Sequence, residues 1–166
     1  MEKAINQQIN EEAFSAYLYL QMSAWFAEQG LNGFANWMRV QNQEETFHMT
    51  KFYDFVIQRG GSVELEAIEK PQQSWKNPLD AFQATLKHEQ HITACIDKLV
   101  NLARDEKDNA SFNFLQWYVS EQVEEEDNVT TLISKLKLAG DNGALLYMID
   151  QELAARVFTP PAAAAE

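Results

Sequence analysis

Residues 42–49 read NQEETFHM. Glu45 and His48 stand three apart, so on a helix they share a face. Followed outward at steps of three and four, that face reads Phe34, Trp37, Gln41, Glu45, His48, Phe52 and Phe55. This is the apolar stripe of a helix that packs against a core, with a carboxylate and an imidazole at its middle. Three other segments share the pattern. One carries Ile5, Ile9, Glu12, Ala16, Tyr19, Ser23 and Phe26; the next Leu79, Phe82, Leu86, Glu89, Ile92, Ile96 and Leu99; the last Leu115, Tyr118, Gln122, Glu125, Val129, Leu132 and Leu136. Each stripe carries at least one carboxylate near its centre.

Glycine and proline set the limits of these segments, because both are costly inside helices. Gly30/Gly33, Gly60/Gly61, Pro71/Pro78, Gly140/Gly143 and Pro160/Pro161 punctuate the chain. The stretches between them predict helices at about 3–29, 34–59, 79–105, 111–138 and 144–158; the polar run DEKDNAS at 105–111 divides the third and fourth. Asn77-Pro78 is a strong helix start, a cap residue followed by proline. The fold class is therefore all-α: an antiparallel four-helix bundle with one long crossover at 61–77 and a short fifth helix. A single domain spans 1–158, and TPPAAAAE at 159–166 reads as a disordered tail. The fifth helix carries Leu145, Ile149, Leu153 and Val157. It either caps the bundle or buries that stripe against other subunits, and a core of four helices favours the second.

The polar positions repeat. From Glu12, Glu45 is 33 residues on and His48 36; from Glu89, Gln122 is 33 on and Glu125 36. In an antiparallel hairpin these positions fall at one level. Glu12 lies 17 residues before the predicted end of its helix at 29, while Glu45 and His48 lie 11 and 14 residues into the next, which differ by only a few ångströms at about 1.5 Å per residue. Two hairpins packed together thus gather Glu12, Glu45, His48, Glu89, Gln122 and Glu125 in one layer. Burying even one unpaired carboxylate costs several kcal/mol, and no Lys or Arg lies on these stripes. Two divalent cations would neutralise the layer; carboxylates with one imidazole suit iron or manganese, with zinc a competitor. His48 would bind through one ring nitrogen and be oriented through the other.

Composition supports a cation-attracting protein. Asp and Glu number 25 against 13 Lys and Arg, a formal charge of -12. That balance argues against nucleic acid or an anionic membrane as partner. Mean hydropathy is -0.39, and no run reaches the roughly 18 apolar residues of a membrane helix. The first ten residues, MEKAINQQIN, show no leader, so the expected compartment is cytoplasmic, or organellar had a transit peptide been removed. Cys95 is the sole cysteine, so neither an intrachain disulfide nor a Cys-based zinc site is expected; it reads as an inert buried thiol.

Other residues admit two readings. Glu44, Glu121 and Glu124 flank the seam as a third, outer metal site or as a solvated acidic face. Tyr19 is a site-adjacent electron donor or a core tyrosine. Trp117 is packing or, less commonly, a redox group. His88 and His91 flank Glu89 but point elsewhere on the helix, as surface or interface residues or as adventitious metal ligands.

The segments NEEAFSAYLYLQMSAW at 10–25, NQEETFHM at 42–49, LKHEQHI at 86–92 and FNFLQWYVSEQVEEE at 112–126 together resemble the non-haem bacterial-type ferritins. The resemblance implies a ferritin-like subunit of a hollow 24-subunit cage, in which a diiron ferroxidase centre oxidises Fe(II) with dioxygen or hydrogen peroxide and the ferric product is stored as a mineral. It implies Glu12, Glu45 and His48 around the first iron, Glu45, Glu89 and Glu125 around the second, Gln122 nearby, and Glu44, Glu121 and Glu124 at a third site. Tyr19 and Trp117 match the family's site-adjacent aromatic residues. The bacterioferritins and diiron oxidases resemble each other in having two Glu-x-x-His motifs, where the second here is Gln122-x-x-Glu125; the bacterioferritins also have a haem-ligating methionine, where this chain has Thr46. No haem is expected. A rubrerythrin would need a cysteine-ligated iron domain. The remaining rivals are a diiron oxidase with a fixed centre and a metal-stabilised bundle without redox turnover.

Overall fold

The computed structural model describes residues 1–160. Its helices are α1 (Glu2–Glu28), α2 (Asn32–Gln58), α3 (Pro78–Asp105), α4 (Asn109–Ala139) and α5 (Gly143–Leu153). The first four start and stop within two residues of the sequence-based limits. Three-residue links, 29–31 and 106–108, make α1–α2 and α3–α4 antiparallel hairpins. The hairpins meet through α1 and α3. On the other side α2 and α4 meet through side chains: Tyr118 donates to the His48 carbonyl at 2.9 Å and Gln41 to Glu125 at 2.9 Å.

The two hairpin turns are closed alike by different residues. After α1, Gly30 sits at φ +75°, its N–H bonded to Ala27 O and that of Leu31 to Phe26 O. After α3, Lys107 takes the same left-handed role at φ +57°, its N–H bonded to Arg104 O and that of Asp108 to Ala103 O. These are the paired bonds that satisfy a helix's last carbonyls. Asp108 then caps α4, accepting from the Ser111 N–H at 3.1 Å, as Asn77 caps α3 by accepting from Asp80 N–H at 2.8 Å.

The apolar core is in two parts. One holds Phe26, Phe34, Trp37, Phe82, Val129 and Leu136 with their neighbours; the other holds Ile9, Phe52, Ile96, Leu115 and Tyr118 with theirs. Each such buried side chain contributes roughly 1.5–3 kcal/mol. Between the two lies the polar layer. Twenty-six of the 28 stripe positions named above are buried; Leu79 and Leu86 on α3 are only half-buried. There the inward position passes to Thr85, whose hydroxyl is satisfied by Ala81 O at 3.1 Å, so the seam runs Phe82, Thr85, Glu89. The crossover, residues 59–77, has no helix, but it is pinned by Trp75, buried edge-on against Trp25 at 5.5 Å between ring centres.

α5 departs from expectation. It ends at Leu153 instead of 158. Its stripe divides: Ile149 and Leu153 join the chain's own core, while Leu145 and Val157 stay 41% and 74% exposed. The reason lies at the start of α2, which has no side-chain cap of its own. Asp150 Oδ1 accepts from the N–H groups of Gly33 at 2.7 Å and Phe34 at 3.1 Å, supplying the cap from α5. Only glycine allows this approach, since a Cβ on residue 33 would lie 1.7 Å from the Asp150 carbonyl oxygen. Asn36 secures the segment by donating to Leu153, Ala154 and Arg156 carbonyls. Among the described residues no helix is long and apolar enough to cross a membrane. Residues 161–166 of the expected tail lie outside the described residues.

Candidate metal centre

The bundle brings all six layer residues together in the interior. Relative exposures are Glu12 0%, Glu45 2%, His48 3%, Glu89 1%, Gln122 4% and Glu125 5%, so bulk water solvates none of these groups. Glu12, Glu45 and His48 each present a ligand atom within 4.8 Å of the others. Glu45 Oε2 lies 3.3 Å from His48 Nδ1. Gln8 donates to Glu12 Oε1 at 2.9 Å, leaving Glu12 Oε2 buried without a partner.

The other half is hydrogen-bonded more fully. Tyr19 donates its hydroxyl to Glu89 Oε1. Gln122 donates to Glu89 Oε2 at 3.2 Å. Glu125 accepts from Gln41, whose own Oε1 is orphaned.

Without a cation this layer resists ionisation. Burial first, then the Glu45 charge, pushes the Glu12 carboxyl well above the ordinary carboxylate range. Burial, then the charges of Glu89 and Glu125, does the same to Glu45. Glu89 is pushed up to about 8, by burial and then by Glu125. Burial and the facing carboxylates hold the Tyr19 phenol well above its usual value, so it remains a donor. No Lys or Arg lies in the layer. An orphaned carboxyl oxygen and several buried carboxyl groups with no Lys or Arg beside them are a donor set that fits hard or borderline divalent cations.

Flanking residues sort differently. Trp117 is half-buried and packs edge-on against His48 at 5.3 Å, with Lys51 4.6 Å above its ring. Glu44, Glu121 and Glu124 are not among the three-ligand groups found in the described residues. Instead Arg156 holds Glu44 at 2.7 Å, Glu121 is half-buried and Glu124 is exposed. Glu44 is raised to about 7 by burial, with Arg156 opposing.

His91 is exposed, as expected, but His88 is half-buried beside Tyr19 and 2.8 Å from the Ser15 hydroxyl. Burial lowers it to about 4, so it is neutral. Cys95 is not buried but half-exposed. Gln8 and Arg156 escaped the sequence reading. Gln8 could have been found at four residues before Glu12, on the same helix face; nothing local marks Arg156.

A helical hairpin pair enclosing a buried carboxylate–imidazole layer defines the class of ferritin-like metalloproteins. The comparisons narrow it. The ferritin-like domain model matches residues 2–139. The chain is 41% identical over 156 residues to a bacterial non-heme ferritin of Bacteroides fragilis (strain 638R), covering 94% of this chain and 97% of that protein. It is 42% identical over 153 residues to that of Escherichia coli O157:H7, covering 92% and 93%. Among solved structures it resembles the open-pore ferritin of the hyperthermophilic archaeon Archaeoglobus fulgidus, with a TM-score of 0.94, 50% identity and coverage of 95% and 97%. An engineered closed form of that ferritin gives 0.95, 52%, 96% and 97%. The chain belongs to the ferritin family.

Proposed function

We infer that the protein stores iron and that its buried layer is a ferroxidase centre. The observation that carries this is the Glu12–Glu45–His48 cluster, buried, acidic, uncompensated and missing a partner at Glu12 Oε2. Iron is substrate here: two Fe(II) ions each give one electron, dioxygen or hydrogen peroxide takes the pair, and the ferric product passes on as a hydrated oxide.

Glu12 and His48 hold one ferrous ion, Glu89 and Glu125 the other, and Glu45 bridges them. Carboxylates stabilise the ferric over the ferrous state by charge. Gln8 and Gln41 orient Glu12 and Glu125 through one carboxylate oxygen each, which leaves the other free to bind. Glu125 stands where a second histidine would, and Gln122 is a neutral neighbour, so the second ion is held with fewer nitrogen ligands, less tightly, and moves on. Tyr19 orients Glu89 and stands within reach to supply an electron. Trp117 holds the His48 ring from the side.

A third iron position on Glu44, Glu121 and Glu124 requires Arg156 to release Glu44. Thr46 offers no haem ligand. The subunits assemble as a homo-oligomeric cage of 24 in the cytoplasm, with the product inside, and the -12 charge draws in Fe(II) while disfavouring nucleic acid and anionic membranes.

Oxygen consumption during stepwise aerobic addition of Fe(II) to metal-free protein tests the reading. A fast phase ending near two irons per subunit, then slower oxidation with iron kept soluble, is expected. Oxidation that stops at two, with further iron precipitating, would indicate a fixed diiron oxidase. No uptake above a protein-free control would remove the enzymatic claim.

A further inference from the structure

A second cluster of metal-binding side chains lies on the surface between α1 and α3. Glu11 comes from α1, one residue from Glu12 but turned outward; His91 and Cys95 are one turn apart on α3. His91 Nε2 lies 2.9 Å from Glu11 Oε2 and 3.7 Å from Cys95 Sγ. All three ligand atoms are within 4.8 Å of one another. Glu11 and His91 have side chains 27% and 53% exposed, and Cys95 is half-exposed.

We propose that Glu11, His91 and Cys95 form a binding site for a borderline-soft divalent cation of the zinc class, separate from the carboxylate layer. One imidazole nitrogen faces both a carboxylate oxygen and a sulfur. In the free protein its Nε2–H donates to Glu11; a cation there takes the Nε2 position, the neutral ring carrying its proton on Nδ1 instead, and displaces the thiol proton to solvent. The spacing fits. Tetrahedral Zn(II) at bond lengths of about 2.0–2.3 Å sets its nitrogen about 3.3 Å from an oxygen and about 3.6 Å from a sulfur. The adjoining groove, about 140 Å³ and lined by Gln8, Glu11, Cys95 and Lys98 among others, has room for water in the fourth position. Thiolate, imidazole and carboxylate together favour zinc over the oxygen-seeking ions suited to the buried layer.

Co(II) is the probe, because sulfur-to-cobalt charge transfer gives a near-ultraviolet band that carboxylates and imidazole do not. Cys95 is the only cysteine, so the band reports this site alone. It is measured on the intact, reduced protein. The expected result is a band saturating at one Co(II) per subunit and displaced by Zn(II). Cys95→Ser removes the band and leaves fast Fe(II) oxidation unchanged. His91→Ala and Glu11→Gln each weaken Co(II) binding about tenfold or more. No band in the unsubstituted protein overturns the proposal. So does a band whose affinity is unaffected by both His91→Ala and Glu11→Gln, since the thiolate would then be binding alone.

Discussion

The two hairpins follow one plan with different contents. Both place polar residues at the same spacing along paired helices, yet α1–α2 contributes Glu12, Glu45 and His48, and α3–α4 contributes Glu89, Gln122 and Glu125. The first set clusters with an orphaned oxygen. In the second, Glu89 takes hydrogen bonds from Tyr19 and Gln122, and Glu125 takes one from Gln41. The difference teaches that a repeated scaffold fixes where ligands stand, whereas neighbouring donors decide how strongly each half demands a cation. The first half is poised to bind; the second is already partly satisfied and has less to gain.

Activity offers the sharpest way to break that contrast. Glu45→Ala or His48→Ala should slow the fast phase of Fe(II) oxidation by at least about 100-fold, whereas Gln122→Ala should cost about tenfold. Stopped-flow absorbance measures both. Equal losses would erase the distinction between the halves.

Stability against pH comes next. Glu12, Glu45 and Glu89 have folded-state values above their unfolded ones, so both states are protonated below the ordinary value of 4.5, where their effect on stability is neutral. As pH rises, the unfolded chain ionises first and folding loses ground, by at most about 1.4 kcal/mol per pH unit for each group. For Glu89 that loss runs from about 4.5 to about 8. Metal-free protein should therefore resist urea less at neutral than at mildly acidic pH. Glu89→Gln should flatten the slope, and bound divalent metal should reverse it. A metal-free protein that gains stability over this range would contradict the buried, unpaired layer.

The smallest effect lies in the turns. Lys107→Gly should raise stability by about 0.5–1 kcal/mol, by relieving the left-handed backbone. Gly30→Ala should lower it by about 1 kcal/mol, since a Cβ there meets nothing within 4 Å and only the backbone conformation is at stake. Thermal melts of the pair test whether the two turns are interchangeable.

Those turns also show what a sequence reveals. Gly30 announces its turn, whereas Lys107 adopts the same conformation with no glycine to mark it, and only the polar run at 105–111 betrayed the break. The six-residue layer was legible because burial follows the period of a helix, which is local. The capping of α2 by Asp150, the grip of Arg156 on Glu44 and the anchoring of the crossover by Trp75 were not. Each joins segments far apart in the chain, and no periodicity encodes the partner.

That Asp150 contact has a consequence during biosynthesis. Its hydrogen bonds to Gly33 and Phe34 span 117 and 116 residues. At about 5–20 residues per second, translation separates donor from acceptor by on the order of ten seconds. For that interval the first turn of α2 has no side-chain cap, and a chain released before residue 150 never gains one.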